Sequence, residues 1–506
     1  MENILFDASG RIVFDIAALH LNTIIPMLVT LCGALLIMIL DLVKKQDKGL
    51  YVALSTIILA IDLYLVISIN DAGRGFFDVL LVDGIAVISQ VIILVASLLF
   101  IPLALSGHRF KEFKFAEHFA FFLFMIAGFQ FMVSSDNLIL IFIGLETASL
   151  ALYTLIAMHN RQKSLEAAIK YFTMGAYAAG FFAFGSLIFY ALTGSIELGT
   201  IKSVLEANGY ENQLMILVAG VFMIVALGFK LSIVPFHSWT PDVYEGASAP
   251  LAGYMSIVPK IAGFVVAIRL FDTLAASQEG TLIYTLLWIS AVATMTIGNI
   301  IALVQDGVKR MLAYSSISHS GFVLTAIVMG TTQATSGLFL YWSLFLFTNL
   351  GAFAMLWISR HPSKQWDIRY NHPFTKFSGM IKHSPVAAII MATFMLSLAG
   401  IPPLALYWGK IYLISAAINS DHLYLAIIMT LNSGIAIYYY LKLIVYMFLK
   451  DPVDNDGTIY VQNGSIPLKI ILGFAAFVVV VSIFGIDPLI TSITSSVTAR
   501  DREERR

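Results

Sequence analysis

Apolar runs of about 20 residues, the length an α-helix needs to cross a bilayer, recur from one end of the chain to the other. They fall near 23–43, 51–69, 79–105, 116–133, 138–158, 167–192 and 214–235, and continue near 250–270, 282–304, 311–329, 335–358, 385–418, 423–449 and 467–494. Between them lie short polar segments with Gly, Pro and charge. Of the 506 residues 59% are hydrophobic and only 12% charged, too little polar surface to cover a soluble globule of this size. The pattern predicts an all-α polytopic membrane protein with about 14 transmembrane helices, embedded in a lipid bilayer.

Two runs are interrupted. At 228–264 the sequence reads GFKLSIVPFHSWTPDVYEGASAPLAGYMSIVPKIAGF, with Pro235, Pro250 and Pro259 removing backbone donors. The 385–418 run is too long for one straight crossing at 1.5 Å per residue, and GIPP at 400–403 divides it. Broken helices at membrane depth are tolerated where they line a hydrated cavity or are buried in protein, which is how ion sites in transporters are built.

The basic residues sort between alternate loops. One set holds Lys44, Lys45, Lys48, Arg109, Lys111, Lys114, Arg161, Lys163, Lys170, Lys309, Arg310, Arg360, Lys364, Arg369, Lys376, Lys382 and Lys450. The other holds Arg74, Lys202 and Arg269, with Arg11 in the leading segment. The positive-inside rule then puts both termini on the outer side of a bacterial inner membrane, the periplasm, against which only the arginine-bearing tail TARDREERR weighs. No cleavable signal is expected before the first span. The basic residues form no continuous patch, so no nucleic acid is expected as partner.

With the loop charges set aside, Lys230, Lys260 and Lys410 remain inside spans, and Glu146 in FIGLETASLALY lies near midplane. An ammonium at bilayer depth costs about 3 kcal/mol on insertion scales, so it is kept for packing against a partner or for transport. A structural Glu146–Lys230 ion pair accounts for two of these groups and leaves Lys260 and Lys410 unexplained; a row of titratable groups accounts for all four. His319, in YSSISHSGF, extends the row, with Tyr314, Ser315, Ser316, Ser318 and Ser320 expected around it; the other reading is a histidine held by hydroxyls between helices. Of the ten histidines only His237 and His319 are expected within the membrane, and His237 follows the Pro235 break. Asn299, Asn349 and Asn432 read as packing contacts. Cys32, the single cysteine, excludes an iron–sulfur cluster or an internal disulfide in this chain, and no metal or cofactor site is expected.

The motifs GFKLSIVPFHSWTPDVYEGASAP, VPKIAGF, GNIIALVQDGVKRMLAYSSISHSGF and SLAGIPPLALYWGKIYLISAAI resemble the antiporter-like membrane subunits of respiratory complex I. WTPDVYEGA, with GLE at 144–146 and KYF at 170–172, most resembles the subunit N branch of that family, and no long lateral helix follows the last span. The resemblance implies two inverted five-helix repeats, 116–270 and 282–449, each with a broken helix, flanked by helices 1–3 within 1–115 and by helix 14 with the tail at 467–506. It places Glu146, Lys230, Lys260 and Lys410 on the family's proton-carrying positions, and matches Lys170 and His237 to secondary ones. It implies a proton-translocating subunit of NADH-quinone oxidoreductase in which NAD, FMN, iron–sulfur clusters and quinone belong to partner subunits, among them antiporter-like neighbours. Two other readings stay open at this level: a subunit of a multisubunit sodium/proton antiporter, and a structural or quinone-binding subunit whose lysines are fixed in ion pairs.

Overall fold

The computed structural model describes residues 20–68, 73–106, 112–274, 281–357, 372–452 and 465–503, with short strand pairs at Ile4–Phe6/Ile12–Phe14 and Ser359–Arg360/Val461–Gln462. A third hairpin pairs Gly73–Gly75 with Leu80–Val82. Everything else of regular structure is helix. In order these are α1 (Ile25–Val43), α2 (Lys48–Ser68), α3 (Gly84–Phe100), α4 (Ala116–Val133), α5 (Leu138–Ala157), α6 (Gln162–Thr193), α7 (Leu198–Ala207), α8 (Gln213–Leu231), α9 (Trp239–Gly246) and α10 (Ala249–Met255). They continue as α11 (Val258–Thr273), α12 (Leu282–Leu303), α13 (Val308–Met329), α14 (Thr332–Met355), α15 (Met380–His383), α16 (Pro385–Ala399), α17 (Ala405–Asn419), α18 (Leu423–Leu449), α19 (Ile466–Val481) and α20 (Ile486–Glu503).

Thirteen of the described helical segments are long and apolar enough to cross a membrane, with α10 and α11 counted as one. The interrupted pair α16–α17 supplies the fourteenth crossing. Large apolar side chains point outward, as on Leu42, Tyr64, Phe184, Leu214 and Phe484, each more than 60% exposed. Lipid is the solvent that suits such a surface. The polar side chains of the spans go the other way, into an interior formed by α4, α10–α11, α13 and α14, the most completely buried crossings.

The order of elements recurs. Helices α4, α5 and α6 are followed by α8, which stops short, and by α10–α11; α12, α13 and α14 are followed by the broken α16–α17 and by α18. Five crossings is an odd number, so the second set starts from the face opposite the first, which is the inverted arrangement that the family resemblance implies. Each set is locked at its first helix pair by glycines. A Cβ at Gly144 of α5 would lie 2.6 Å from the Gly128 carbonyl oxygen of α4, and one at Gly321 of α13 would lie 2.5 Å from the Met295 nitrogen of α12.

One boundary differs from expectation. The 467–494 run is not a single span: α19 ends in a 3-10 turn at Ser482–Phe484, and α20 starts anew at Ile486. Past Gly485 large apolar residues recur at 486, 489, 490, 493 and 497, the spacing of one helix face, and of these Ile493 and Val497 are buried. Helix α20 therefore packs on the protein instead of crossing, with the Ser496 carbonyl against Gly84 at the start of α3. Gly84 and the beginning of α1 lie on the same face, called here the N-terminal face.

Candidate functional site

Helix α5 begins at Asn137, whose side-chain oxygen accepts from the Ile139 and Leu140 amides and so fixes its start. Gly144 then lets α4 approach closely enough to hold the next turn, which carries Glu146 and Ser149. Lys230 reaches across from the last turn of α8: its Nζ donates to Ser149 Oγ at 2.8 Å and lies 5.5 Å from the Phe129 ring centre. Glu146 and Lys230 make no direct ion pair within 4.0 Å, and Glu146 Oε1 has no hydrogen-bond partner among the described residues. Ser149 stands where the direct contact of the ion-pair reading would be.

The break after α8 is built by capping. Ser232 takes the left-handed conformation at φ 61°, and the Ile233 amide donates back to the Gly228 carbonyl at 2.8 Å. Trp239 Nε1 donates to the Phe229 carbonyl at 2.9 Å, and the Val234 amide to Thr294 Oγ1 of α12 at 2.9 Å. Backbone groups freed by the break are thus satisfied by side chains, as hydrocarbon depth requires.

The 250–270 span is also interrupted, at Ser256–Ile257, and Asn349 of α14 donates to Ser256 Oγ there. Lys260 sits in the first turn of α11 with its Nζ 2.6 Å from the Ser316 carbonyl and 2.7 Å from Ser316 Oγ of α13. Gly263, one turn further along α11, faces Lys230: a Cβ there would lie 3.7 Å from Lys230 Cγ. Ser316 and His319 are three residues apart, so they share one face of α13.

His319 is held between two tyrosines. Its Nδ1 is 2.5 Å from Tyr341 Oη of α14 and its Nε2 2.9 Å from Tyr440 Oη of α18. The serine surround expected from sequence is corrected here. Ser315 and Ser320 hydroxyls bond carbonyls of their own helix, while Ser316 serves Lys260. A serine in a helix readily turns back to the preceding turn, which a string of hydroxyls in a sequence does not reveal. Tyr341 lies against Gly409 of α17, where a Cβ would be 3.1 Å from Tyr341 Cα. Next to Gly409 is Lys410, whose Nζ donates to the Leu398 and Ala399 carbonyls at 3.1 and 3.0 Å. Those are end carbonyls of α16, the negative pole of that half-helix, so the break itself makes the cation's seat.

The structure thus brings Lys230, Lys260, His319 and Lys410 into one row, each no more than 6% exposed, with half-buried Glu146 at one end. Lys170 and His237 lie elsewhere. Lys170 of α6 pairs with Asp242 of α9, and the His237 ring, beside the α8 break, has no hydrogen-bond partner on Nδ1 among the described residues. Asp242 also takes Arg310 Nη1 at 2.9 Å, and Arg310 bonds Glu245 at 2.9 Å, which in turn meets Lys163 at 3.2 Å. A cleft of about 160 Å³ opens between these groups. Partial burial works against ionisation of Asp242, but hydrogen bonds from Lys170 and Arg310 outweigh it and hold the carboxyl below its ordinary value. Glu245 is held low in the same way, burial being overcome by Arg310 and Lys163. The asparagines do pack: Asn299 Nδ2 bonds the Asn432 carbonyl at 3.0 Å.

Four residues were not singled out from sequence. Tyr341 and Tyr440 are apolar-looking positions in aromatic-rich runs, and only the fold shows their hydroxyls meeting at His319. His118 in the first turn of α4 is a further buried histidine, edge-on to Phe113 at 4.8 Å. Asp62 in α2 is a second carboxylate at membrane depth, fully buried; its signal was plain, a lone acid in STIILAIDLYLV.

The family described as NADH:quinone oxidoreductase/Mrp antiporter, TM, matches residues 135–436. NADH-quinone oxidoreductase subunit N of Sulfurimonas denitrificans is 60% identical over 490 residues, 95% of this chain and 97% of that one. The protein of the same name from Helicobacter hepaticus is 46% identical over 484 residues, 95% and 98% of the two chains. Among solved structures, a chain of respiratory complex I from Thermus thermophilus superposes with a TM-score of 0.75 at 25% identity, covering 94% of this chain and 99% of that chain. A chain of the Mrp complex from Dietzia superposes with a TM-score of 0.79 at 18% identity, over 96% and 99%, a likeness of fold alone.

Proposed function

Since the chain belongs to the NADH-quinone oxidoreductase subunit N family, we propose that it moves protons across the membrane along the row Lys230, Lys260, His319, Lys410, driven by quinone reduction in other subunits. It is a multi-pass membrane subunit of a proton-translocating oxidoreductase, and proton translocation is the general role of its family. The observation that carries the residue assignment is the continuity of the row: Lys230 faces α11 one turn from Lys260, Lys260 holds Ser316 one turn from His319, and His319 reaches α17 through Tyr341. Buried cations kept only for packing would be expected each beside an acid, yet Lys260 and Lys410 are bonded to neutral oxygens.

Electron transfer is assigned to partner subunits carrying NAD, FMN, iron–sulfur clusters and quinone, and this chain supplies only proton-bearing groups. Glu146 would bias Lys230 and face a neighbouring, antiporter-like membrane subunit. Its helix face supports this, because Ile139, Ile143 and Leu150 are about half exposed on either side of it. Moving one charge against about 200 mV costs about 4.6 kcal/mol. Two charges 4 Å apart interact by about 4 kcal/mol at an effective dielectric near 20, and Glu146 and Lys230 are further apart than that. Glu146 therefore modulates the row without driving it alone. The high identity with subunit N relatives favours this reading over the sodium/proton antiporter. The loop charges support both termini on the periplasmic side of a bacterial inner membrane. The test is proton uptake by sealed vesicles energised with NADH, in which replacement of Lys230, Lys260 or Lys410 stops pumping without loss of the assembled complex.

A further inference from the structure

Asp62 stands outside the lysine row. It lies about 9 Å from the end of α2 at 1.5 Å per residue, toward the N-terminal face, and is fully buried where α2 meets α1, α3 and α4. Gln130 Nε2 of α4 donates to its Oδ2 at 2.9 Å and to Gln90 Oε1 of α3 at 3.2 Å. Thr30 Oγ1 of α1 donates to Gln130 Oε1 at 3.1 Å, and Gln90 Nε2 to Ser134 Oγ, at the end of α4, at 2.9 Å. Asp62 Oδ1 has no hydrogen-bond partner among the described residues. Two helical turns back on the same face of α2, buried Ser55 Oγ also has none among the described residues.

Among the described residues, the helices packed around it hold no cation for it. The titratable groups of the packed elements are Asp41 and Cys32 on α1, Lys48, Tyr51 and Tyr64 on α2, and Glu117 and His118 on α4; α3 has none. Asp41, Lys48, Tyr51, Glu117 and His118 sit at the opposite ends of their helices, and Cys32 and Tyr64 are exposed. A carboxylate here would meet one amide N–H only, whereas a proton on Oδ1 removes the charge.

We propose that Asp62 is a second proton-binding site of this chain, separate from the lysine row, which exchanges one proton with the N-terminal face and sets the direction of the Thr30–Gln130–Gln90–Ser134 hydrogen-bond chain. Loading transfers a proton from hydronium at that face to Oδ1 and releases one water; unloading reverses it, with no redox partner. The amide pair has two ways to satisfy its neighbours, because each glutamine can turn its oxygen and nitrogen about and both ends of the chain are hydroxyls that donate or accept. With Asp62 ionised, Gln130 must present its N–H₂ to the carboxylate. With Asp62 loaded, half a turn of its carboxyl group brings the new O–H round to face Gln130, which then presents its oxygen to the acid, and Thr30, Gln90 and Ser134 follow. One proton thereby re-sets contacts among α1, α3 and α4, and α4 is the helix that holds Glu146 in place through Gly128.

Proton binding at Asp62 does not depend on the proposed function, but its coupling to turnover does. The assembled oxidoreductase in native membranes is examined by infrared difference spectroscopy. A protonated-carboxyl carbonyl band, shifted in heavy water, is expected in the wild type, absent in Asp62→Asn and displaced in Asp62→Glu. Absence of any such difference between wild type and these variants at every pH where the complex is intact overturns the proposal. The Glu variant keeps the comparison decisive should the Asn variant fail to assemble. Proton pumping is measured beside Lys260→Met: Asp62→Asn is expected to lower it severalfold and Asp62→Glu to restore it. If Lys260→Met stops pumping and Asp62→Asn leaves it at the wild-type rate, the coupling role of Asp62 is wrong and the row stands; if both pump normally, the proposed function is what fails.

Discussion

Lys260 holds both oxygens of Ser316, the carbonyl at 2.6 Å and the hydroxyl at 2.7 Å, and among the described residues it makes no ion pair with an acid. A cation seated on neutral oxygens can exchange a proton without leaving a stranded counter-charge. Lys260→Met is expected to assemble, with a stability loss of about 1–3 kcal/mol from the lost hydrogen bonds to Ser316, whose carbonyl keeps the Ser320 hydroxyl, and to lose coupled pumping. Lys260→Arg keeps the charge but scarcely releases a proton, so it is expected to fail as well. Assembly is followed on native gels and pumping with a pH-sensitive dye in sealed vesicles; an arginine variant that pumps normally shows that charge alone is what this position supplies.

Glu146→Gln is expected to weaken pumping without abolishing it. The amide keeps the shape and removes an interaction with Lys230 of no more than about 4 kcal/mol. Because Glu146 makes no direct ion pair, the variant should assemble in normal amount. Wild-type pumping at normal abundance would rule out the modulating role.

The two tyrosines on His319 are expected to behave differently when their hydroxyls are removed. Tyr341 lies between His319 and the α17 turn that carries Lys410, whereas Tyr440 lies on α18 away from the row. Each Tyr→Phe change leaves one ring nitrogen unbonded at a cost of about 1–3 kcal/mol. Tyr341→Phe should reduce pumping well beyond Tyr440→Phe at equal stability loss. Equal pumping in the two would remove Tyr341 from the pathway.

Asp242 gives a pH dependence with a definite sign. Its carboxyl is held below the unfolded value, because the hydrogen bonds from Lys170 and Arg310 outweigh its burial. Its contribution is therefore complete above the unfolded value of 3.8 and is lost as the pH falls through the lower folded value. Asp242 is about a third exposed and screened by solvent, so the effect is below about 1 kcal/mol. Thermal unfolding of the detergent-solubilised complex should show Asp242→Asn less stable than wild type at neutral pH, with the gap closing in acid. A gap that widens in acid contradicts the assignment.

Gly144→Ala is expected to separate α4 from α5. The added methyl would lie 2.6 Å from a backbone oxygen that cannot step aside. Overpacking of this kind costs about 1–3 kcal/mol, and it moves the turn that carries Glu146 and Ser149. Lower thermal stability together with reduced pumping is the expected pair of results; normal values of both would show that the close approach is not needed.

The crossings and the three lysines are legible in the sequence because the signal is local: a charge inside a 20-residue apolar run identifies itself. The breaks are legible for the same reason, since proline removes a donor wherever it stands. The partners are not. His319 finds its tyrosines 22 and 121 residues away, and Lys260 finds Ser316 after 56. Nearby serines suggested a surround that the helix geometry does not deliver, because their hydroxyls are taken by the preceding turn. Asp62 carried as strong a local signal as Glu146, but the amides that give it meaning come from α3 and α4. The end of the last crossing was misplaced because apolar residues continue past Gly485 at the spacing of one face, which composition alone does not separate from an all-round apolar span.

Counting hydrogens at Lys260 and Lys410 draws out one more consequence of their seats. An ammonium carries three N–H groups and a neutral amine two. Each of these lysines has two protein acceptors, the carbonyl and hydroxyl of Ser316 for one and the carbonyls of Leu398 and Ala399 for the other. The amine form therefore still fills both acceptors, and the nitrogen stays in place whether it is charged or not. The third hydrogen is the one not tied to the protein, so each of these side chains can give up and regain a proton without changing its grip.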